Sequence, residues 1–283
     1  MSIVKCTAYP FRYAAEAYAE PADEAEVDEI EFFDASLYTG MFSIDFDTRR
    51  AGRPCLDGAG RKRNLAQQIG KAWQARPVYC RKTGAYEVGG WNVAGENCGH
   101  ESAVFSPPFP MEDRERVFAV LDALRSDGFL PVDGFTIHMI PAEPNRQTIL
   151  NMCNILQSRS ELIAQALRLQ EELRFCIAED LAFTVMLDAF AIPETEACLY
   201  LLRQCYGMAA ATGKARMKPC DGSNPKFQMR SWLLRLGFIG EEYERPRHTL
   251  LSGLEGDSAF FTESGKKRAL EKRRREKAME WMA

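Results

Sequence analysis

The sequence predicts an α+β protein built on a largely antiparallel sheet. Three observations lead there. Strand-like stretches cluster in hairpin fashion between residues 77 and 109, whereas βαβ units would alternate regularly with helices. Several stretches, FSIDFD (42–47) and GFTIHMI (134–140) among them, alternate apolar and polar residues. Period two gives each such strand one apolar and one polar face. Helical stretches carry their apolar residues on one stripe, as helices backing such a sheet do.

The first forty residues are alanine-rich and acidic, and RYAAEAYAEPADEAEVDEIEFF suits a helix broken near Pro21, whose ring lacks an N–H. The strand 42–47 follows, then a Gly-, Pro- and base-containing loop, GRPCLDGAGRKR. Residues 64–75 space Leu65, Ile69 and Trp73 as one helical stripe. PVYCRKT, YEVGGWNV and ESAVFSPPF read as short strands, the last stopped by a proline pair that cannot extend a ladder. Residues 112–127 read as a helix with Val117, Val120, Leu121 and Leu124 inward and Gly128 as its cap. After the strand 134–140, residues 146–174 hold neither Pro nor Gly and suit one long helix or two shorter ones. LAFTVMLDAF is a strand ended by Pro193, ETEACLYLLRQCYGMAAA a helix, and ATGKARMKPCDGSNP a polar, basic loop.

The chain has 283 residues, enough for a substantial core, and its 46% apolar content argues against disorder. A net charge of −4 excludes a protein that binds polyanions over its whole surface. The charge is segregated, however. No Lys or Arg lies between Arg12 and Arg49, while Lys266 to Lys277 is dominated by bases. That basic C-terminus suits a solvated helix or a contact with nucleic acid or an acidic partner. The nine cysteines form no CxxC pair. Together with an N-terminus unlike a signal peptide, they suggest free thiols and a cytoplasmic protein. Cys80, Cys98 and His100 lack the paired knuckle of a zinc site and read as loop residues. No apolar run reaches the roughly 20 residues that span a bilayer.

The polar strand faces are the candidate chemistry. Asp45 and Asp47 share one, Glu101 lies with Ala103 and Phe105, Thr136 with His138, and Thr184 with Met186 and Asp188. Hard cations such as Mg²⁺ take oxygen ligands, commonly one or two carboxylates plus substrate phosphates. An Asp-x-Asp pair suits that role, and it equally suits a solvated sheet face.

Four stretches in order, FSIDFD, WNVAGENCGHESAVFSPPF, VDGFTIHMI and AFTVMLDAF, with the closing WLLRLGFIGEEYERPRHTLLSGLEGD, resemble the amidoligase family. These are carboxylate–amine ligases related to glutamine synthetase and glutamate–cysteine ligase. The resemblance spans about residues 40–260 and implies a curved antiparallel sheet with helices on its outer face, like the glutamine synthetase catalytic domain. It divides the chain into an acidic segment (1–40), an amidoligase-like domain (41–262) and a basic helix or tail (263–283). It also implies ATP-dependent amide formation through an acyl phosphate, with Mg²⁺ and ATP, and with small-molecule or peptide carboxylate and amine substrates.

Residue by residue, the resemblance assigns Asp45, Asp47 and Glu101 to one metal site and sets His138 near the nucleotide phosphates. Asp45 and Asp47 replace glutamates, keeping charge but losing reach. Three positions depart from the family. Thr136 replaces a histidine, Met186 a glutamate and Asp188 an arginine, so the second metal site is degenerate; a thioether does not hold Mg²⁺. Lys214, Arg216 and Lys218 are candidate nucleotide-binding cations, with Arg230 and Arg159 behind them. Three functional readings therefore stand: a working ligase, the same scaffold retained for binding or regulation, or an interaction protein using its charged ends.

Overall fold

The computed structural model describes residues 40–47, 61–95, 102–126, 133–143, 145–170, 173–177, 182–189, 191–215 and 224–259, with 267, 268, 271, 272 and 274. The acidic N-terminal segment and most of the basic C-terminal one lie outside the described residues. Of the latter, Lys267, Arg268, Glu271, Lys272 and Arg274 are helical and exposed.

In chain order the elements are β1 (Gly40–Asp47), α1 (Arg61–Trp73), β2 (Val78–Cys80), β3 (Ala85–Val88), β4 (Trp91–Gly95), β5 (Ser102–Phe105), α2 (Arg114–Ser126) and β6 (Asp133–Pro141). There follow α3 (Arg146–Gln157), α4 (Ser160–Ala166), β7 (Arg174–Ile177), β8 (Phe183–Ala189), α5 (Ile192–Ala211), α6 (Pro225–Arg235) and α7 (Glu244–Ser252). The strands form one eight-stranded sheet in the order β2-β3-β4-β5-β1-β6-β8-β7, and every pairing is antiparallel. This is the mixed α+β architecture with an antiparallel sheet that the clustering of strands predicts.

The alternation read in the sequence decides which face is covered. Phe42, Ile44 and Phe46 of β1, Phe135, Ile137 and Met139 of β6, and Phe183, Val185 and Leu187 of β8 are all buried in a single core shared with the helices. Burying each such side chain is worth about 1.5–3 kcal/mol, so a one-residue register slip would put the whole set on the wrong face. α5 runs through that core. Thirteen of its twenty residues are buried, on all sides, as a helix enclosed by other elements requires, and it packs against α3 and α7.

Several boundaries differ from the sequence reading, each for a local reason. α1 begins at Arg61, so the basic residues assigned to the preceding loop form its first turn. Residues 146–174 form the two shorter helices of the expected alternatives, but they stop short of residue 174. α3 ends at Gln157 and α4 at Ala166, Arg168 adopts a positive φ of 56°, and Arg174 already opens a strand. With no Gly or Pro there, the break left no punctuation to read. β8 ends at Ala189 and Pro193 sits in the first turn of α5, where its missing N–H costs nothing. YEVGGWNV is two strands joined by Gly89 and Gly90, both at positive φ, the two-residue turn that matches hairpin twist. Gly128 lies outside the described residues. None of the described helices is long and apolar enough to cross a membrane.

The core also contains thiols. Burial pushes Cys153 and Cys198 up to about 12 and raises Cys205 as well. A thiol with a higher pKa folded than unfolded keeps its proton longer in the folded state. Its stabilising share is whole below the ordinary value of 9.0 and is lost as pH climbs towards about 12. The expected result is a urea midpoint that holds near neutrality and falls above pH 9.0. The loss is on the order of 1 kcal/mol per thiol per pH unit. A variant with all three cysteines changed to alanine starts lower and declines less steeply over that range; equal slopes for the two proteins would refute the assignment.

Candidate functional site

The sheet order brings together stretches that are far apart in the chain. β5, β1, β6 and β8 lie side by side, and they are the strands that carry the stretch ending in Ser106-Pro107, the Asp-x-Asp pair, His138 and Met186. On the face away from the buried apolar side chains, register defines two rows. In the first, Phe105 pairs with Asp45, Asp45 with Thr136, Thr136 with Met186, and Met186 with Arg174. In the second, Ser43 pairs with His138, His138 with Thr184, and Thr184 with Cys176. Asp45, Thr136, His138 and Met186 are half-buried, and Thr184 is buried. This face is therefore a partly enclosed bed.

Local hydrogen bonds fix several members. The His138 Nδ1 lies 3.0 Å from the Thr184 hydroxyl on the next strand, a contact that sets the ring's rotation. Ser43 donates its hydroxyl to the Ser106 carbonyl at 2.8 Å, while the Ser106 hydroxyl accepts the Ile44 N–H at 2.7 Å. Pro107 and Pro108 have no N–H to give the ladder, so buried Ser106 supplies the closing hydrogen bond. Pairing resumes at Phe42 and Phe109. The Ser-Pro step thus positions β1 from one side as Thr184 positions His138 from the other.

Asp45, Thr136, His138 and Met186 come together on one face, as expected. Asp47 pairs with Ala103 and Asp188 is in β8, but their side chains, like all of Glu101, lie outside the described residues. Among the described residues no three His, Cys, Asp or Glu side chains are placed to hold a metal ion. Of the expected metal set, Asp45 alone has a described side chain, and it is a hard oxygen donor suited to Mg²⁺. Met186 offers a soft sulfur in the same row, which does not suit that ion.

The expected nucleotide cations divide differently. Asn151 accepts the Ala215 N–H and donates to the Thr212 carbonyl, and Asn154 donates to the Ala215 carbonyl. Exposed Lys214 is thereby held beside α3. Arg216 and Lys218 lie outside the described residues. Arg159 stacks over the Trp232 ring at 5.7 Å, and Arg230 donates to the Ser258 carbonyl. Both interactions tie these arginines to the helical part of the fold.

The cation that does stand in the Asp45 row is Arg174, exposed and opposite Met186. Sequence reasoning missed it because the uninterrupted stretch 146–174 reads as helix. The alternation of Phe175 against Cys176, with Leu173 and Phe175 buried, was the available signal. A second missed feature is a cleft of about 520 Å³ between the start of α5 and α7. It is lined by Arg168, Glu194, Glu196, Arg245 and His248 among others. Glu196 is buried there with its Oε1 accepting from Arg114 Nε at 2.9 Å.

Together these features define an α+β protein whose single antiparallel sheet is backed by helices on one face and carries a carboxylate, an imidazole and hydroxyls on the other. No known protein family and no curated protein matches this chain.

Proposed function

We propose that this protein is a divergent ATP-dependent carboxylate–amine ligase with a glutamine synthetase-like catalytic sheet. One observation carries the reading: the four stretches on which the resemblance rests fall on five adjacent strands, β4, β5, β1, β6 and β8, with Asp45 and His138 on the same face. In this reaction a substrate carboxylate oxygen attacks the γ-phosphorus of ATP, giving an acyl phosphate and ADP. An amine then attacks the acyl carbon, phosphate leaves with the bonding electron pair, and the amine proton is released. When bound, Mg²⁺ would offset charge on the transferring phosphoryl group. Asp45, with Asp47 and Glu101, would hold that ion. His138, its ring set by Thr184, donates towards a phosphate oxygen, and Arg174 supplies the positive charge that Asp188 does not.

Thr136 and Met186 favour a second reading, a nucleotide-binding scaffold that has lost turnover. Calorimetric titration of ATP, with and without Mg²⁺, separates the readings when ADP release is assayed alongside. The ligase binds ATP only with Mg²⁺, loses at least about tenfold in affinity on Asp45→Asn or Asp47→Asn, and forms ADP when offered carboxylates and amines. The scaffold binds in the same manner and forms none. Absence of nucleotide binding in every condition defeats both.

A further inference from the structure

Far from that face, the end of the sheet at β2 and β3 gathers positive charge. Every charged residue between Asp57 and Glu87 is a lysine or arginine, in a chain whose net charge is −4. The fold concentrates them. Lys62, in the first turn of α1, donates to the Gly84 carbonyl at 2.5 Å, which seats the start of the helix on the tip of the β2–β3 hairpin. That tip bears Arg81 and Lys82, both exposed, and Arg63 is exposed one residue beyond Lys62. Arg76, just before β2, is exposed as well.

The placement is electrostatically costly. A helix N-terminus already carries about half a positive charge, and carboxylates are favoured there. The first turn of α1 has no acidic residue and instead begins Arg61, Lys62, Arg63. Stacking bases on a positive helix end, beside two more on a hairpin tip, lowers stability unless an anion shares the site. Nor is the anion a small one, since the charges spread along the hairpin from Arg76 to Lys82.

The same surface offers aromatic faces. Tyr79 and Tyr86 pair across β2 and β3 with ring centroids 4.9 Å apart. Tyr79 is 44% exposed and its neighbour Val78 is 59% exposed, on the terminal strand of the sheet. Bases interleaved with exposed aromatic rings match a strand whose phosphates need cations and whose unpaired bases stack. A duplex hides its base faces, whereas every unpaired nucleotide brings a phosphate and a stacking face together.

We propose that the α1 N-terminus and the β2–β3 hairpin bind single-stranded nucleic acid, with Lys62, Arg63, Arg81 and Lys82 on phosphates and Tyr79 stacking on a base. The surface is independent of the ligase reading and stands if that reading fails.

The test is fluorescence anisotropy of the full chain with a labelled oligothymidylate of about 20 nucleotides, a duplex of equal length and a range of salt concentrations. The single strand binds in the micromolar range at low salt. Log affinity falls with log salt at a slope near about −3, as roughly four phosphates on a single strand require. The pair Arg81→Glu and Lys82→Glu weakens binding by at least about tenfold for either form, and Tyr79→Ala weakens the single strand about tenfold while sparing the duplex. Saturating oligonucleotide also slows alkylation of Cys80. This thiol lies between Tyr79 and Arg81, and a hydrogen bond with the Thr83 side chain, reinforced by the Thr83 and Lys82 backbone, holds its pKa below the ordinary value. Three results overturn the proposal: no binding at low salt, binding unchanged by the hairpin variants, or equal affinity for duplex and single strand with no effect of Tyr79→Ala. Unchanged circular dichroism shows that the variants remain folded.

Discussion

Glu196→Ala is expected to destabilise the protein by about 3 kcal/mol, among the largest effects of any polar substitution in the fold. The Glu196 side chain is 7% exposed and the Arg114 side chain 19% exposed, with 2.9 Å between Nε and Oε1. Arg114 also donates to the Met111 carbonyl at 3.2 Å and lies 5.3 Å from the centre of the Tyr200 ring. Burial works against its charge, yet the Glu196 hydrogen bond, the neighbouring Tyr200 and the charges of Glu196 and Glu115 prevail and raise its pKa. Removing the carboxylate leaves that cation buried without its main counter-charge, and exposed Arg245, 3.8 Å from Oε2, adds a second like charge to the gap.

Changing both Arg114 and Glu196 to methionine removes the desolvation cost along with the attraction. That double variant returns to within about 1 kcal/mol of the parent. Urea midpoints of Arg114→Met, Glu196→Met and the double variant form the required cycle. A Glu196→Ala cost under about 1 kcal/mol would show that Arg114 reaches water easily, and the pair would then count as a surface contact. The pair also ties α2 to α5, the helix that runs through the core, so the loss is felt by the whole fold.

How much of this was legible in the sequence depends on which physical signal each residue leaves. Period two is a strong signal, and it correctly gave the faces of β1, β6 and β8, because burial of Phe42, Ile44 and Phe46 leaves polar residues nowhere else to go. It also placed Asp45, Thr136, His138 and Met186 on one side, although their adjacency across three strands is a property of the sheet order alone. Arg174 was lost for the opposite reason. A helix that ends without Gly, Pro or a polar cap leaves no mark, and four residues are too few to display a strand period. The α1 start was misplaced because Arg61, Lys62 and Arg63 are poor residues for a helix N-terminus, and local preference there yields to the anchoring of Lys62 on Gly84. The cleft between α5 and α7 depends on side chains from two helices and on Arg168 beyond the end of α4, and no single stretch encodes it. The expected nucleotide loop illustrates a different limit: alternating bases announce a charged face, but only the bonds from Asn151 and Asn154 hold Lys214 beside α3.

The row Asp45, Thr136, Met186 makes the largest functional prediction, a gain. Directly opposed side chains on neighbouring strands have Cβ atoms about 4.5–5.5 Å apart, so three positions in one row converge on a single point above the middle strand. Asp45 supplies a carboxylate, whereas Thr136 and Met186 supply a weak hydroxyl and a soft sulfur. Thr136→His with Met186→Glu places carboxylate, imidazole and carboxylate in that row, a donor set that divalent transition metals favour. Both positions are half-buried, so the new polar groups are not fully desolvated. Mn²⁺ titration followed by paramagnetic resonance is expected to show affinity at least about tenfold tighter than the parent's. Asp45→Asn in the same background abolishes the gain. Arg174, opposite Met186, competes for the new carboxylate, so adding Arg174→Gln tightens binding further. If the double variant folds and Mn²⁺ affinity does not move, the three side chains do not converge and the row is a solvated face. If affinity rises and Mg²⁺-dependent ADP formation rises with it, the substitutions at 136 and 186 are what separates this chain from a ligase with two intact metal sites.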